Sequence, residues 1–159
     1  MTAEALLALA RARGLRICTA ESCTGGMVAA ALTDIAGSSD VVECGFVTYS
    51  NTAKQRMLGV NAETLTAHGA VSEEVAAEMA EGALAHSTAD IAVSITGIAG
   101  PGGSEFKPEG RVCFGIAAKT AQTHTETIEF GALGRDKVRE ASRDHALACL
   151  GKAALRSDQ

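Results

Sequence analysis

The residues able to do chemistry concentrate in three segments rich in glycine and small hydroxyls. The first is TAESCTGG, residues 19–26. Glycines at a strand-to-helix turn let backbone N–H groups converge, and the helix dipole favours an anion there. Thr24, Gly25 and Gly26 are therefore a candidate phosphate cradle. The same glycines serve equally well in a tight connection that holds no ligand. The second segment is Gly37, Ser38 and Ser39, with Thr48, Tyr49, Ser50, Asn51 and Lys54 following. A hydroxyl nucleophile needs a base, and no histidine lies in this stretch. Lysine can serve once its amine is neutral, which burial favours, and Tyr49 could relay the proton. Spacing alone also reads as turn serines, a strand aromatic and a solvated lysine. The third is SITGIAGPGG, residues 94–103, where hydroxyls and glycines, Thr96 and Gly97 among them, close an apolar strand. Its backbone N–H groups could receive an oxyanion or a phosphate.

Several better-known arrangements fail. No Gly-Lys-Ser/Thr follows the first glycine turn, and no G-x-G-x-x-G occurs. Tyr49 and Lys54 are one residue too far apart for the Y-x-x-x-K of short-chain dehydrogenases. Ser50 and Lys54 miss the S-x-x-K of penicillin-recognising enzymes by the same margin. Arg135 and Arg139 lie four apart on one helix face and could clamp a phosphate, although Asp136 and Glu140 beside them fit a plain solvated face as well. His68, His86, His124 and His145 are scattered and match no ligand spacing, so no metal site is expected, and a hydrolytic serine mechanism would need no organic cofactor. Cys23 in the glycine turn is a rival nucleophile, since a helix N-terminus lowers a thiol pKa.

These segments need elements to hold them. Periodicity and punctuation predict a helix over residues 2–14, a strand over 15–20, and an Ala-rich helix over 27–35 that Gly37 ends. A β-rich run covers 41–49. One or two helices divided by Gly59 cover 51–65, and a helix capped by Ser72 runs to His86. Residues 90–95 form a strand buried on both faces. A Gly/Pro-rich loop over 96–110 carries five glycines and both prolines. Strands at 111–119 and 123–130 read as a hairpin, and residues 134–155 as a long helix. Helices alternating with strands, with a hairpin late, imply α/β architecture: a single-domain three-layer α/β/α sandwich with a mixed, mostly parallel sheet, over residues 1–159.

The chain of 159 residues has a formal charge of −5 and only 3% aromatics. That argues against nucleic-acid partners, which call for a basic surface or stacking platforms. No uncharged apolar run reaches membrane-spanning length, and the amino terminus lacks the pattern of a signal peptide. Five widely spaced cysteines with no C-x-x-C suit a reducing compartment. A cytoplasmic protein with a small-molecule partner, no nucleic acid and no membrane, is the expectation, and a symmetric homo-oligomer the expected state.

Six segments stand out together: TAESCTGG (19–26), TDIAGSS (33–39), GFVTYSN (45–51), AVSE (70–73), SITGIAGP (94–101) and KPEG (107–110). In this order and over nearly the whole chain they resemble the CinA C-terminal domain family, in its stand-alone form. The resemblance implies a nicotinamide-nucleotide amidase, which hydrolyses the carboxamide of nicotinamide mononucleotide to nicotinic acid mononucleotide and ammonia. It also implies Ser39 as nucleophile, with Tyr49 and Lys54 activating it. Thr96 and either Arg135 or Arg139 would line the substrate site, and the phosphate would rest on Thr24, Gly25 and Gly26 or on the loop from Gly97. A nucleotide-binding regulatory module without turnover is the alternative.

Overall fold

The computed structural model describes residues 1–104 and 106–157. The order is α1 (Ala3–Ala12), β1 (Ile17–Glu21), α2 (Met27–Thr33), a 3-10 turn (Ser38–Asp40), β2 (Val42–Val47), α3 (Asn51–Leu58), α4 (Ala62–His68), α5 (Glu73–Ala85), β3 (Ile91–Gly97), β4 (Arg111–Ala118), β5 (Ala121–Glu129) and α6 (Arg135–Arg156). Helix starts follow local chemistry. Thr2, Ser50 and Ser72 cap α1, α3 and α5, each side chain accepting a first-turn backbone N–H.

The five strands stand in the order β2-β1-β3-β4-β5. β1 pairs parallel with both β2 and β3, while β3–β4 and β4–β5 are antiparallel. The sheet is thus mixed, parallel through its first three strands, and covered by helices on both faces. Alternation along the central strands sorts the core. Ile17, Ile91, Val93 and Ile95 pack with α1, α2 and α6. Cys18, Ala20 and Ala92 face the other way, against Leu58, Leu65, Val75 and Met79 of α3, α4 and α5. Small residues let α5 press close. A Cβ on Gly115 of β4 would lie 2.3 Å from the Ala76 carbonyl oxygen, and one on Gly82 would strike the Leu58 carbonyl of α3.

This topology decides where loops can meet. β1, β2 and β3 run the same way, so the segments after Glu21, Val47 and Gly97 emerge at one edge of the sheet, where ligands gather in such folds. The Ser38–Asp40 turn precedes β2 and therefore sits at the opposite edge. The Ile17 backbone N–H donates to Val41 O at 2.9 Å, placing the turn beside the start of β1. β1 alone separates the two edges by about 13 Å at ~3.3 Å per residue. Arg11 of α1 fastens the turn there, with Nε and Nη2 on the two Asp40 carboxylate oxygens at 2.7 and 3.0 Å and Nη2 on Gly37 O at 2.9 Å. The hydrogen bonds from Arg11 hold the Asp40 carboxyl below its ordinary range.

Candidate active site

At the carboxyl edge of β1 and β3 lies a cavity of about 380 Å³, lined by Ser22, Cys23, Tyr49, Asn51, Lys54, Thr96, residues 97–104 and Arg135 among others. Ser22 is the first residue after β1. Its backbone N–H donates to Ile95 O at 3.0 Å, which extends the pairing with β3 and leaves the side chain at the rim. Lys54 comes one turn into α3, on the face turned to the sheet. It is 1% exposed, and Nζ lies 3.0 Å from Ser22 Oγ. Nζ also donates to Thr48 O at 2.9 Å and Tyr49 O at 3.2 Å. An amine held against two carbonyl oxygens and one hydroxyl can, when neutral, place two hydrogens on the carbonyls and turn its lone pair to the hydroxyl.

Ser39 is not part of this arrangement. It is exposed in the 3-10 turn at the far edge, so the expected pairing of Ser39 with Lys54 is corrected by the direction of β2. The hydroxyl that meets the lysine is Ser22. Tyr49 lines the cavity, but its part differs from the expected relay. Its backbone carbonyl takes the Lys54 hydrogen bond, and its phenol oxygen lies 3.1 Å from Arg135 Nη2 with the side chain largely exposed.

The expected phosphate cradle at Thr24, Gly25 and Gly26 is also corrected, because the protein fills it with a carboxylate of its own. Glu21, 1% exposed, accepts from the backbone N–H groups of Gly26, Val28 and Ala29 at 3.2, 2.9 and 3.0 Å. The Thr24 and Thr19 hydroxyls add bonds at 2.7 and 3.2 Å. The N-terminus of α2 therefore already holds its anion, and the turn carrying Ser22 is braced from below. Arg139 braces it from the other side, donating from Nε to Cys23 O at 3.0 Å and from Nη2 to Thr24 O at 3.4 Å. Replacing one oxygen by an amide NH₂ would turn a donor toward donors. Glu21→Gln is expected to lower unfolding stability by at least about 2 kcal/mol, read from the urea midpoint.

The two arginines divide. Arg135 lines the cavity, with Nη1 on Gly100 O at 2.7 Å, while Arg139 bonds the turn that carries Ser22. Thr96, buried at the end of β3, lines the cavity and donates from Oγ1 to Ala70 O at 2.8 Å, tying the segment before α5 to the sheet. Gly97 lines it too, and a Cβ there would come within 2.7 Å of the Val112 side chain. Cys23 is in the wall, but burial pushes its thiol up to about 12 despite nearby Lys54 and Arg139, so at neutral pH it is a thiol. The geometry gives no support to a cysteine nucleophile. Sequence reasoning missed Ser22 although it stands inside a motif already singled out. The available signal was its place as the first hydroxyl beyond a buried strand.

Residues 1–154 match the sequence profile of the CinA C-terminal domain. The chain belongs to the CinA C-terminal domain family. A curated family relative from Escherichia coli K12, named nicotinamide-nucleotide amidohydrolase PncC, is 54% identical over 148 residues, 92% of this chain and 89% of that protein. A putative competence-damage inducible protein of Symbiobacterium thermophilum is 51% identical over 152 residues, which are 90% of this chain and 35% of that longer protein. Among solved CinA structures, the competence/damage inducible protein CihA of Agrobacterium tumefaciens superposes with a TM-score of 0.92 at 48% identity, over 97% of this chain and 93% of that one. Among the described residues, no helix is long and apolar enough to cross a membrane.

Proposed function

We propose that this protein hydrolyses the carboxamide of nicotinamide mononucleotide, with Ser22 as nucleophile and Lys54 as its base. The observation that carries the mechanism is the buried 3.0 Å contact between Lys54 Nζ and Ser22 Oγ in the cavity wall. The substrate class rests on the 54% identity to the E. coli protein named nicotinamide-nucleotide amidohydrolase PncC.

Ser22 Oγ attacks the amide carbon as its proton passes to the neutral Lys54 amine, whose other hydrogens stay on the Thr48 and Tyr49 carbonyls. The carbonyl electron pair moves to oxygen, and backbone N–H groups in the loop 97–103 are the candidate donors for that oxyanion. Collapse of the tetrahedral species breaks the C–N bond, and the Lys54 proton leaves with ammonia. Lys54 then takes a proton from water as its oxygen attacks the Ser22 ester. The ester C–O bond then breaks, the Lys54 proton passes to Ser22 Oγ, and the acid product leaves as carboxylate with its proton lost to solvent. The pyridinium charge draws electrons from the carboxamide and eases both attacks. Arg135 lies at the cavity rim beside Gly100 and the Tyr49 phenol, which supports a role in holding the phosphate.

Ammonia release from nicotinamide mononucleotide by the purified chain tests this reading. Folded protein that binds the nucleotide and releases no ammonia would make it a binding module instead. Arg135→Gln is expected to raise KM about tenfold or more with a smaller change in kcat, because a phosphate contact is made in ground and transition state alike. An unchanged KM would remove Arg135 from the phosphate site.

A further inference from the structure

Between β5 and the middle of α6, about 15 Å along the helix from Arg135, a second group of reactive side chains meets. We propose that Glu126, His145 and Cys149 bind one divalent transition-metal ion of the zinc class, with His124 as the fourth ligand.

The donor atoms of Glu126, His145 and Cys149 all lie within 4.8 Å of one another. His145 Nε2 is 2.5 Å from Glu126 Oε1, and Cys149 Sγ is 3.2 Å from the same oxygen. Zinc bond lengths of ~2.0–2.3 Å in a tetrahedron separate neighbouring donors by about 3.3–3.7 Å. Opening these contacts by roughly 1 Å or less would therefore admit the ion.

Spacing puts the donors on facing surfaces. His145 and Cys149 are four apart on α6 and share a face, while His124 and Glu126 are two apart on β5 and point the same way. His124 Nε2 lies 3.9 Å from Glu126 Oε2. The His145 ring is held by Phe114 at 4.5 Å and Phe130 at 6.4 Å between centroids, which fixes the direction of Nε2. Beside the cluster is a cavity of about 50 Å³ lined by His124, Glu126 and Cys149, with Lys152 and Arg156 also in its wall.

The mixed N, O and S set selects zinc or cobalt over magnesium or calcium, which take oxygen ligands. A carboxylate and a thiolate would neutralise the dication. Lys152 and Arg156 oppose a further cation but favour the thiolate. The Cys149 sulfur binds a metal as thiolate, so binding must release its proton to solvent. The site went unseen in the sequence because its four donors come in two short-range pairs on different elements, some twenty residues apart.

Cobalt(II) is the probe. Titrated into the full chain, it is expected to bind once per molecule, with a near-ultraviolet sulfur-to-metal band and the visible bands of tetrahedral cobalt. Zinc should displace it and raise the wild-type Tm. Cys149→Ser should remove the sulfur band, and His145→Gln should weaken binding by more than about tenfold. Cys44→Ser, at a half-buried cysteine on β2, should leave both readouts unchanged. Circular dichroism checks folding, and His145→Gln decides the matter if Cys149→Ser fails to fold. No binding below about 1 mM, a sulfur band that survives Cys149→Ser, or undiminished affinity in His145→Gln would reduce the cluster to a His–Glu hydrogen bond beside a buried thiol.

Discussion

Ser22→Ala is expected to lower kcat/KM for amide hydrolysis roughly 10⁴–10⁶-fold while the nucleotide still binds, and Ser39→Ala to leave turnover near wild type. The first figure is the scale on which hydrolases lose rate when the nucleophile is removed, ~5–8 kcal/mol of transition-state stabilisation. Geometry sets the contrast. Ser22 Oγ is within hydrogen-bond reach of a buried amine and faces the cavity, whereas Ser39 is exposed at the other edge of the sheet. Removing the Ser22 hydroxyl deletes one oxygen from a side chain that is 8% exposed, and its backbone bond to Ile95 remains, so the fold should tolerate it. Ammonia release and calorimetric binding of the nucleotide, measured on both variants, give the answer. An active Ser22→Ala protein would end the mechanism proposed here, and a dead Ser39→Ala protein would return the role to the turn serine.

Lys54→Met should also damage catalysis, by about 10²–10⁴-fold, at a stability cost of about 1–3 kcal/mol. Methionine matches the length of the lysine stem, and Lys54 is among the largest fully buried side chains in the molecule. The change leaves the Thr48 and Tyr49 carbonyls without their donor but also lifts the cost of holding a polar amine away from water. Leaving buried acceptors unpaired costs about 1–3 kcal/mol, which the relieved desolvation of the amine only partly offsets. Activity should therefore collapse in a protein that still folds by circular dichroism, with its urea midpoint only moderately lowered, separating a chemical role from a structural one. Lys54→Arg should fail too, since guanidinium keeps its proton and its five donors cannot accept one from Ser22. Full turnover in either variant would rule out Lys54 as base.

The family was legible in the chain because six short motifs in order carry it, and the layers were legible because local rules set them. The buried apolar run of β3, the caps at Thr2, Ser50 and Ser72, and the glycine after α3 each act within a few residues, so pattern alone predicts the elements. The cavity was half legible. Lys54, Thr96, Gly97, Arg135 and the Tyr49 backbone all line it or bond within it. What the chain by itself could not rank was which serine meets the lysine. Ser39 is fifteen residues from Lys54 in sequence and Ser22 thirty-two, yet parallel pairing of β2 with β1 carries Ser39 to one edge of the sheet and Ser22 to the other. The glycine turn was misread for a related reason: only the folded chain reveals that Glu21, pointing from the last position of β1 into the start of α2, occupies the anion site itself. Sequence determined the elements, because propensity and capping are local. Tertiary structure decided the site, because strand direction and register bring together residues that no spacing rule connects.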